Sequence, residues 1–167
     1  AEVPRMCASE VAKATVQALD DPEAALIAVN FCNVDVIGHI EDQNAILSAV
    51  AEVDRCIGDV MAAAQARDVT CVVTADHGTV ERWLYPEGTV DTGHTDSPVP
   101  FIVVDPTMKD IQLRQAGALT DVAPTLLHIL GLPQPTEMTG SSLLPGDVPR
   151  QRRRTLLVIA DGWGSRD

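Results

Sequence analysis

Three short runs combine carboxylates with imidazoles: "NVDVIGH" holds Asp35 and His39 four positions apart, "TADHG" holds Asp76 beside His77, and "TGHTDSP" holds His94. A fourth run, "TLLVIADGWG", ends an apolar stretch on Asp161. Three of the four histidines in the chain fall in this set, and the fourth, His128, sits in a segment expected to be a helix that packs or faces solvent. Mixed carboxylate and imidazole donors suit Mn²⁺, Zn²⁺ or Fe²⁺ better than Ca²⁺ or Mg²⁺, and six such groups suffice for two neighbouring ions. Each pair has a plainer use when taken alone: Asp35 could cap a helix, and His94 could be a satisfied loop histidine.

The elements that would carry these groups are legible from hydrophobic patterning. "AALIAVNF", "VTCVVTA", "VPFIVV" and the apolar run from Leu156 to Ala160 are continuous and of strand length, which reads as strands buried on both faces. Between them, Ser9 followed by "EVAKATVQALDD" predicts an N-capped helix ending near Asp21 and Pro22. From Asp42 to about Arg67, Ile46, Val50, Val53, Ile57, Val60 and Ala64 recur at steps of four and three, which predicts a long helix with one buried stripe. A short helix is expected over Asp121 to Leu130, stopped at Gly131 and Pro133, and Gly78 to Pro98 reads as a long functional loop. Strands alternating with helices imply an α/β fold, a mainly parallel sheet with helices on both faces. In such sheets ligands bind beyond the carboxyl ends of the strands, where all of the candidate donors would lie.

Composition narrows the function class. The chain has 167 residues and a net charge of -12, which argues against nucleic acid and anionic membranes as partners. The one basic patch, Arg150, Arg152, Arg153 and Arg154, reads as a solvated linker, with anion binding as the alternative. Cys7, Cys32, Cys56 and Cys71 are isolated and form no C-x-x-C pair, so neither a zinc knuckle nor a disulfide framework is indicated and a reducing, cytoplasmic setting is expected. No apolar run reaches the ~18 residues of a membrane span, and "AEVPRMCASE" lacks a signal-peptide apolar core.

Taken together, "NFCNVDVIGH", "VVTADHGTVE", "GHTDSPVPFIVV" and "TLLVIADGWG" resemble the metal-binding segments of the cofactor-independent (2,3-bisphosphoglycerate-independent) phosphoglycerate mutase family of the alkaline phosphatase superfamily. "RMCASEVAKATVQAL" and "DVAPTLLHILGLPQPTEMTGSSLL" extend the likeness over nearly the whole chain. The resemblance implies an alkaline-phosphatase-like fold and two divalent ions, with Mn²⁺ foremost and Zn²⁺ or Fe²⁺ as alternatives. It implies that Asp35, His39 and His94 hold one ion and Asp76, His77 and Asp161 the other. The implied activity is isomerisation of 3-phosphoglycerate and 2-phosphoglycerate, a glycolytic reaction, by phosphoryl transfer through a serine.

Departures from the family pattern bear on that expectation. Thr79 stands where the family has Asn after its "DHG" triplet, Val34 replaces Pro, and "HIED" differs from the family's "HTG". The "DGWG" strand, which opens the family's chains, here follows the other motifs. This implies a permuted order: residues 1–144 as the metal-binding phosphatase-type domain, 145–153 as a linker, and 154–167 as a strand that completes the same domain. No serine matches the family nucleophile: Ser165 lies too near Asp161, and Ser97 belongs to the loop beside His94. The expected partners are therefore phosphoglycerate or another small phosphate ester, and either a complementary chain or a second copy meeting it at open sheet edges. A stand-alone metal-dependent phosphohydrolase and a non-catalytic metal-binding assembly module are the alternative readings.

Overall fold

The computed structural model describes residues 5–91, 93–105, 107–108, 111–150 and 152–165. The first four residues of the N-terminal segment and the last two of the terminal segment lie outside them. Eight elements organise these residues: helices α1 (Ala8–Ala18), α2 (Asn33–Gly38), α3 (Gln43–Gln65) and α4 (Val122–Ile129), and strands β1 (Leu26–Phe31), β2 (Thr70–Thr74), β3 (Phe101–Val104) and β4 (Thr155–Ala160).

The strands form one sheet in the order β1-β4-β2-β3. β4, the last in sequence, lies inside it, parallel to β1 through Leu26↔Thr155 to Phe31↔Ala160 and parallel to β2 through Thr70↔Thr155 to Thr74↔Ile159. Only the edge strand β3 runs antiparallel, paired to β2. The sheet is thus mainly parallel, and its inner strands β2 and β4 are buried along nearly their whole length, as their continuous apolar runs suggest. The edge strands depart from that expectation: Leu26, Ala28 and Asn30 of β1 and Ile102 of β3 are exposed. Alternation then sorts the side chains by face. Leu156, Val158, Cys71 and Val73 join Ala8, Ala12, Phe31, Val53 and Val60 in a core beneath α1 and α3. Leu157 and Val72 point the other way, against Leu126, Ile129 and Leu144 around α4.

Asp42 caps α3 as its sequence position suggests, accepting a hydrogen bond from the Ala45 N–H at 3.0 Å. The buried stripe of α3 is rotated from expectation: Ile46, Ala49, Val53, Cys56, Val60 and Ala64 are buried, while Val50 and Ile57 sit at its flank. Two small residues take central places in the stripe: Ala49 packs with Ile37 of α2 beside Val80 and Trp83, and Cys56 joins the core beneath α1 and the sheet. Ser9 does not cap α1, which begins at Ala8 with Cys7 at the cap position, two residues earlier than a Ser9 cap would set it. Its hydroxyl donates instead to Glu52 of α3 at 2.9 Å, binding the two helices together. α2 has no sequence-based precedent, because six residues are too few to show a period.

The expectation of a solvated arginine patch is corrected at two of its four positions. Arg153 forms an ion pair at 2.9 Å with Asp105, which is 6 % exposed and also accepts from the Thr70 hydroxyl. Arg154 donates to the backbone carbonyls of Leu19, Asp21 and Ala24. Both lead directly into β4, so they fix its amino end to the turn between α1 and β1 and to the end of β3. His128 is buried, with its ring nitrogens at hydrogen-bond distance from Ser142 Oγ and the Val148 carbonyl. The four thiols are free, and no helix among the described residues is long and apolar enough to cross a membrane.

Candidate metal centre

Four chain segments end at one rim, the carboxyl side of the parallel strands. β1 runs into α2, whose first turn carries Asp35 and whose C-cap is His39, so a spacing of four puts both on one side of the helix. β2 runs into Asp76 and His77. β4 ends on Asp161, and Gly162 turns the chain away with φ +80, a left-handed conformation that a side chain disfavours. Gly162 is also the point of closest approach to α2, where an added Cβ would lie 2.7 Å from Asp35 Cα. The Asp35 N–H donates to the Asp161 carbonyl at 3.1 Å, which locks the two carboxylate-bearing segments together. His94 arrives on the loop after β2, held where Thr95 N–H donates to the Gly78 carbonyl at 2.8 Å.

The six candidate donors converge. Asp35 Oδ1 lies 3.2 Å from His39 Nε2, 3.5 Å from His94 Nε2 and 3.9 Å from His77 Nε2. His77 Nε2 is in turn 3.6 Å from Asp76 Oδ2 and 3.6 Å from Asp161 Oδ1. Two triads, Asp35 with His77 and His94 and Asp76 with His77 and Asp161, each bring their donor atoms within 4.8 Å of one another. His77 therefore touches both groups, its ring stacked on that of His94 at 3.6 Å between centroids. His39 joins through Asp35, with its ring 5.7 Å from that of His94. A cluster of carboxylates and imidazoles this tight fits the donor chemistry of divalent transition ions.

Charge at the rim is poorly compensated by the protein alone. Burial pushes the Asp161 carboxyl above its usual range; the Asn30 amide opposes this, while the negative charges of Asp76 and Asp35 add to it. A polar shell aims the donors. Asn30 Nδ2 donates to Asp161 Oδ2 at 2.9 Å, and the N–H groups of His77 and Gly162 both point at Asp76 Oδ1. Thr79 is 1 % exposed, and its hydroxyl donates to Asp35 Oδ1 at 3.0 Å. Glu81 accepts from the Thr79 N–H at 2.9 Å and from the hydroxyls of Thr95 and Ser97; burial pushes its carboxyl up, but these hydroxyls hold it below the usual range.

Sequence reasoning assigned no role to Asn30, Glu81 or Gly162, and saw Thr79 only as a departure from a pattern. Asn30 had a signal, being the one polar residue in an otherwise apolar strand. Ser97 bonds to Glu81, and the Ser165 hydroxyl donates to the Pro98 carbonyl at 3.0 Å, so both hydroxyls have partners within the fold.

Comparison with known proteins agrees with this picture. Residues 2–134 match the model of the Metalloenzyme superfamily, a match that ends before the segment carrying Asp161. The chain is 47% identical over 146 residues to a 2,3-bisphosphoglycerate-independent phosphoglycerate mutase of Thermomicrobium roseum, covering 84% of this chain and 28% of that protein. It is 44% identical over 148 residues to one of Gloeobacter violaceus, again covering 84% and 28%. A crystal structure of Leishmania mexicana phosphoglycerate mutase at low cobalt concentration superposes with a TM-score of 0.74 and 28% identity, covering 85% of this chain and 29% of the other. The chain thus spans less than a third of the length of these relatives.

Proposed function

Since the chain belongs to the Metalloenzyme superfamily, we propose that it is the metal-binding part of a cofactor-independent phosphoglycerate mutase, interconverting 3-phosphoglycerate and 2-phosphoglycerate once a nucleophile and a substrate-clasping domain are supplied. The observation that carries this is the convergence of three imidazoles on one oxygen of Asp35, with Asp76 and Asp161 alongside. The relatives are mutases by name, and their greater length leaves room for the missing parts on a continuation of this chain or on a separate one.

In this reading Asp35, His39 and His94 hold one divalent ion and Asp76, His77 and Asp161 the other, with Mn²⁺ the preferred occupant. The pair would supply the positive charge that offsets phosphoryl oxygens, which a chain of net charge -12 otherwise repels. The protein's own work is orientation. Asn30 aims Asp161, the His77 and Gly162 N–H groups aim Asp76, and Glu81 ties the His94 loop to the "DHG" turn. Residues 1–144 and 154–167 act as one unit through 145–153, a permuted form of the relatives' order. A glycolytic reaction suits the cytoplasm, as do free thiols.

Calorimetric titration of chelator-treated protein with Mn²⁺ tests the site: two ions per chain are expected, and Asp76→Asn should weaken one of them. Failure to bind Mn²⁺ overturns the proposal. An enolase-coupled assay of 3-phosphoglycerate conversion then tests the reaction, with activity expected only when the remaining part of a mutase is added. Mn²⁺-dependent hydrolysis of a generic phosphate ester by the chain alone would replace the mutase reading with that of a phosphohydrolase.

A further inference from the structure

We infer that Thr79 is a positioning residue that fixes the tautomer of His77 and yokes it to Asp35, so that the two proposed ion sites are set by one hydroxyl. This rests on the proposed metal centre but is read from different atoms. A threonine hydroxyl has one proton and two lone pairs. Asp35 Oδ1, 3.0 Å from Thr79 Oγ1, is a carboxylate oxygen and can only accept, so the hydroxyl proton is committed there. Thr79 Oγ1 also lies 3.3 Å from His77 Nδ1 and, with its proton spent, can only accept from it. The Gly78 carbonyl, likewise 3.3 Å from Nδ1, makes the same demand. Both neighbours select the form with the proton on Nδ1, and the carboxylate oxygens on the other side of the ring, 3.6 to 3.9 Å from Nε2, stand beyond hydrogen-bond reach and do not hold a proton there.

The lone pair is then on Nε2, the nitrogen that faces Asp35, Asp76 and Asp161. A metal-binding imidazole needs its proton on the far nitrogen, and a partner that holds it there commonly matters 10–100-fold, roughly, in metal affinity. Thr79 differs from such partners in reaching a second donor. Asp35 stands on α2 and His77 follows β2, and they belong to different proposed ions, so one side chain registers both. Its placement is itself fixed: the backbone N–H is held by Glu81, and the methyl group packs where a Cβ on Gly38 would come within 2.8 Å.

The test uses the full chain and Thr79→Val, which keeps the branched shape and removes the hydroxyl, with Thr79→Ser as the rescue. ¹⁵N shifts of the His77 ring, recorded without metal well above the usual imidazole range, should show the proton on Nδ1 in the parent and in Thr79→Ser. Thr79→Val should show a mixture of tautomers. Mn²⁺ titration should show both ions weakened about tenfold or more in Thr79→Val and restored to within a few-fold in Thr79→Ser. A parent His77 protonated on Nε2 overturns the inference, as does Thr79→Val binding both ions with parental affinity. The parent tautomer and the serine rescue decide the matter if the valine variant fails to fold. A parent that binds no Mn²⁺ yet carries the proton on Nδ1 would sink the proposed function and leave the tautomer assignment standing.

Discussion

The two ends of β4 treat charge in opposite ways. At its amino end Arg153 meets a buried Asp105 whose remaining acceptor capacity is taken by Thr70 and Thr107, and Arg154 is spent on three backbone carbonyls. At its carboxyl end Asp161 faces Asp35 and Asp76 with only an amide and a shared imidazole to offset them. Six apolar or hydroxyl-bearing residues separate a neutralised pair from a concentration of negative charge. The first arrangement serves stability; the second leaves negative charge that a bound cation would offset.

The largest expected effect breaks the neutral end. Arg153→Met should leave Asp105 buried without its cation and cost about 3 kcal/mol in urea denaturation, the low end for a broken buried pair because Thr70 and Thr107 remain. Mn²⁺ stoichiometry should be unchanged. A loss of metal binding in that variant would show the two ends to be one unit. At the other end, Gly162→Ala should cost about 2 kcal/mol, since it forces a side chain into φ +80 and against Asp35, and it should weaken metal binding as well. Asn30→Ala removes only the amide that aims Asp161 and should reduce Mn²⁺ affinity about tenfold with little change in the urea midpoint.

The smallest effect sharpens the contrast by sign. Asp161 titrates above its usual range in the folded metal-free chain, because burial and neighbouring carboxylates disfavour its charge. The folded state then holds the proton more tightly than the unfolded one, so this group's contribution is present at low pH and is lost as pH rises from the usual carboxylate range through the raised value. Burial also pushes Asp105 up, but the Thr107 and Thr70 hydroxyls and Arg153 outweigh it and hold the carboxyl low. Its contribution is present above the usual range and disappears as pH falls through the lowered value. Stability of metal-free Asp161→Asn and Asp105→Asn, followed against pH, should lose components of opposite slope.

Much of this contrast was legible in the sequence at the carboxyl end and little of it at the amino end. Several apolar strands followed closely by Asp or His point to a rim when they run parallel, whereas Asp105, which follows the antiparallel β3 in the same way, belongs to the opposite end and pairs with Arg153. Local periodicity also placed α3, although it set the stripe a fraction of a turn off, since the hydrophobicity of Val50 and Ile57 outweighed the small size of Ala49 and Cys56. The arginines were illegible because a run of like charge looks solvated until its partner is known. Asp105 is 48 positions from Arg153, and no local pattern links them. Asn30 and Thr79 were hidden for a related reason: a single amide or hydroxyl gains its role only from the atoms that folding brings to it.

The insertion of β4 between β1 and β2 has a consequence for how the molecule assembles. Arg154 and the Ala24 carbonyl are 130 positions apart, so the central seam of the sheet is made of its most distant contacts, and loops of that length close slowly. Until β4 seats, β1 and β2 have no parallel partner and present open edges to other chains. Helix α3 and its packing on α1 can form early, whereas the rim gains Asp161 only with the closing strand. Refolding should therefore run through a collapsed, edge-exposed stage that responds to protein concentration, and ion capture should follow it as the last kinetic phase.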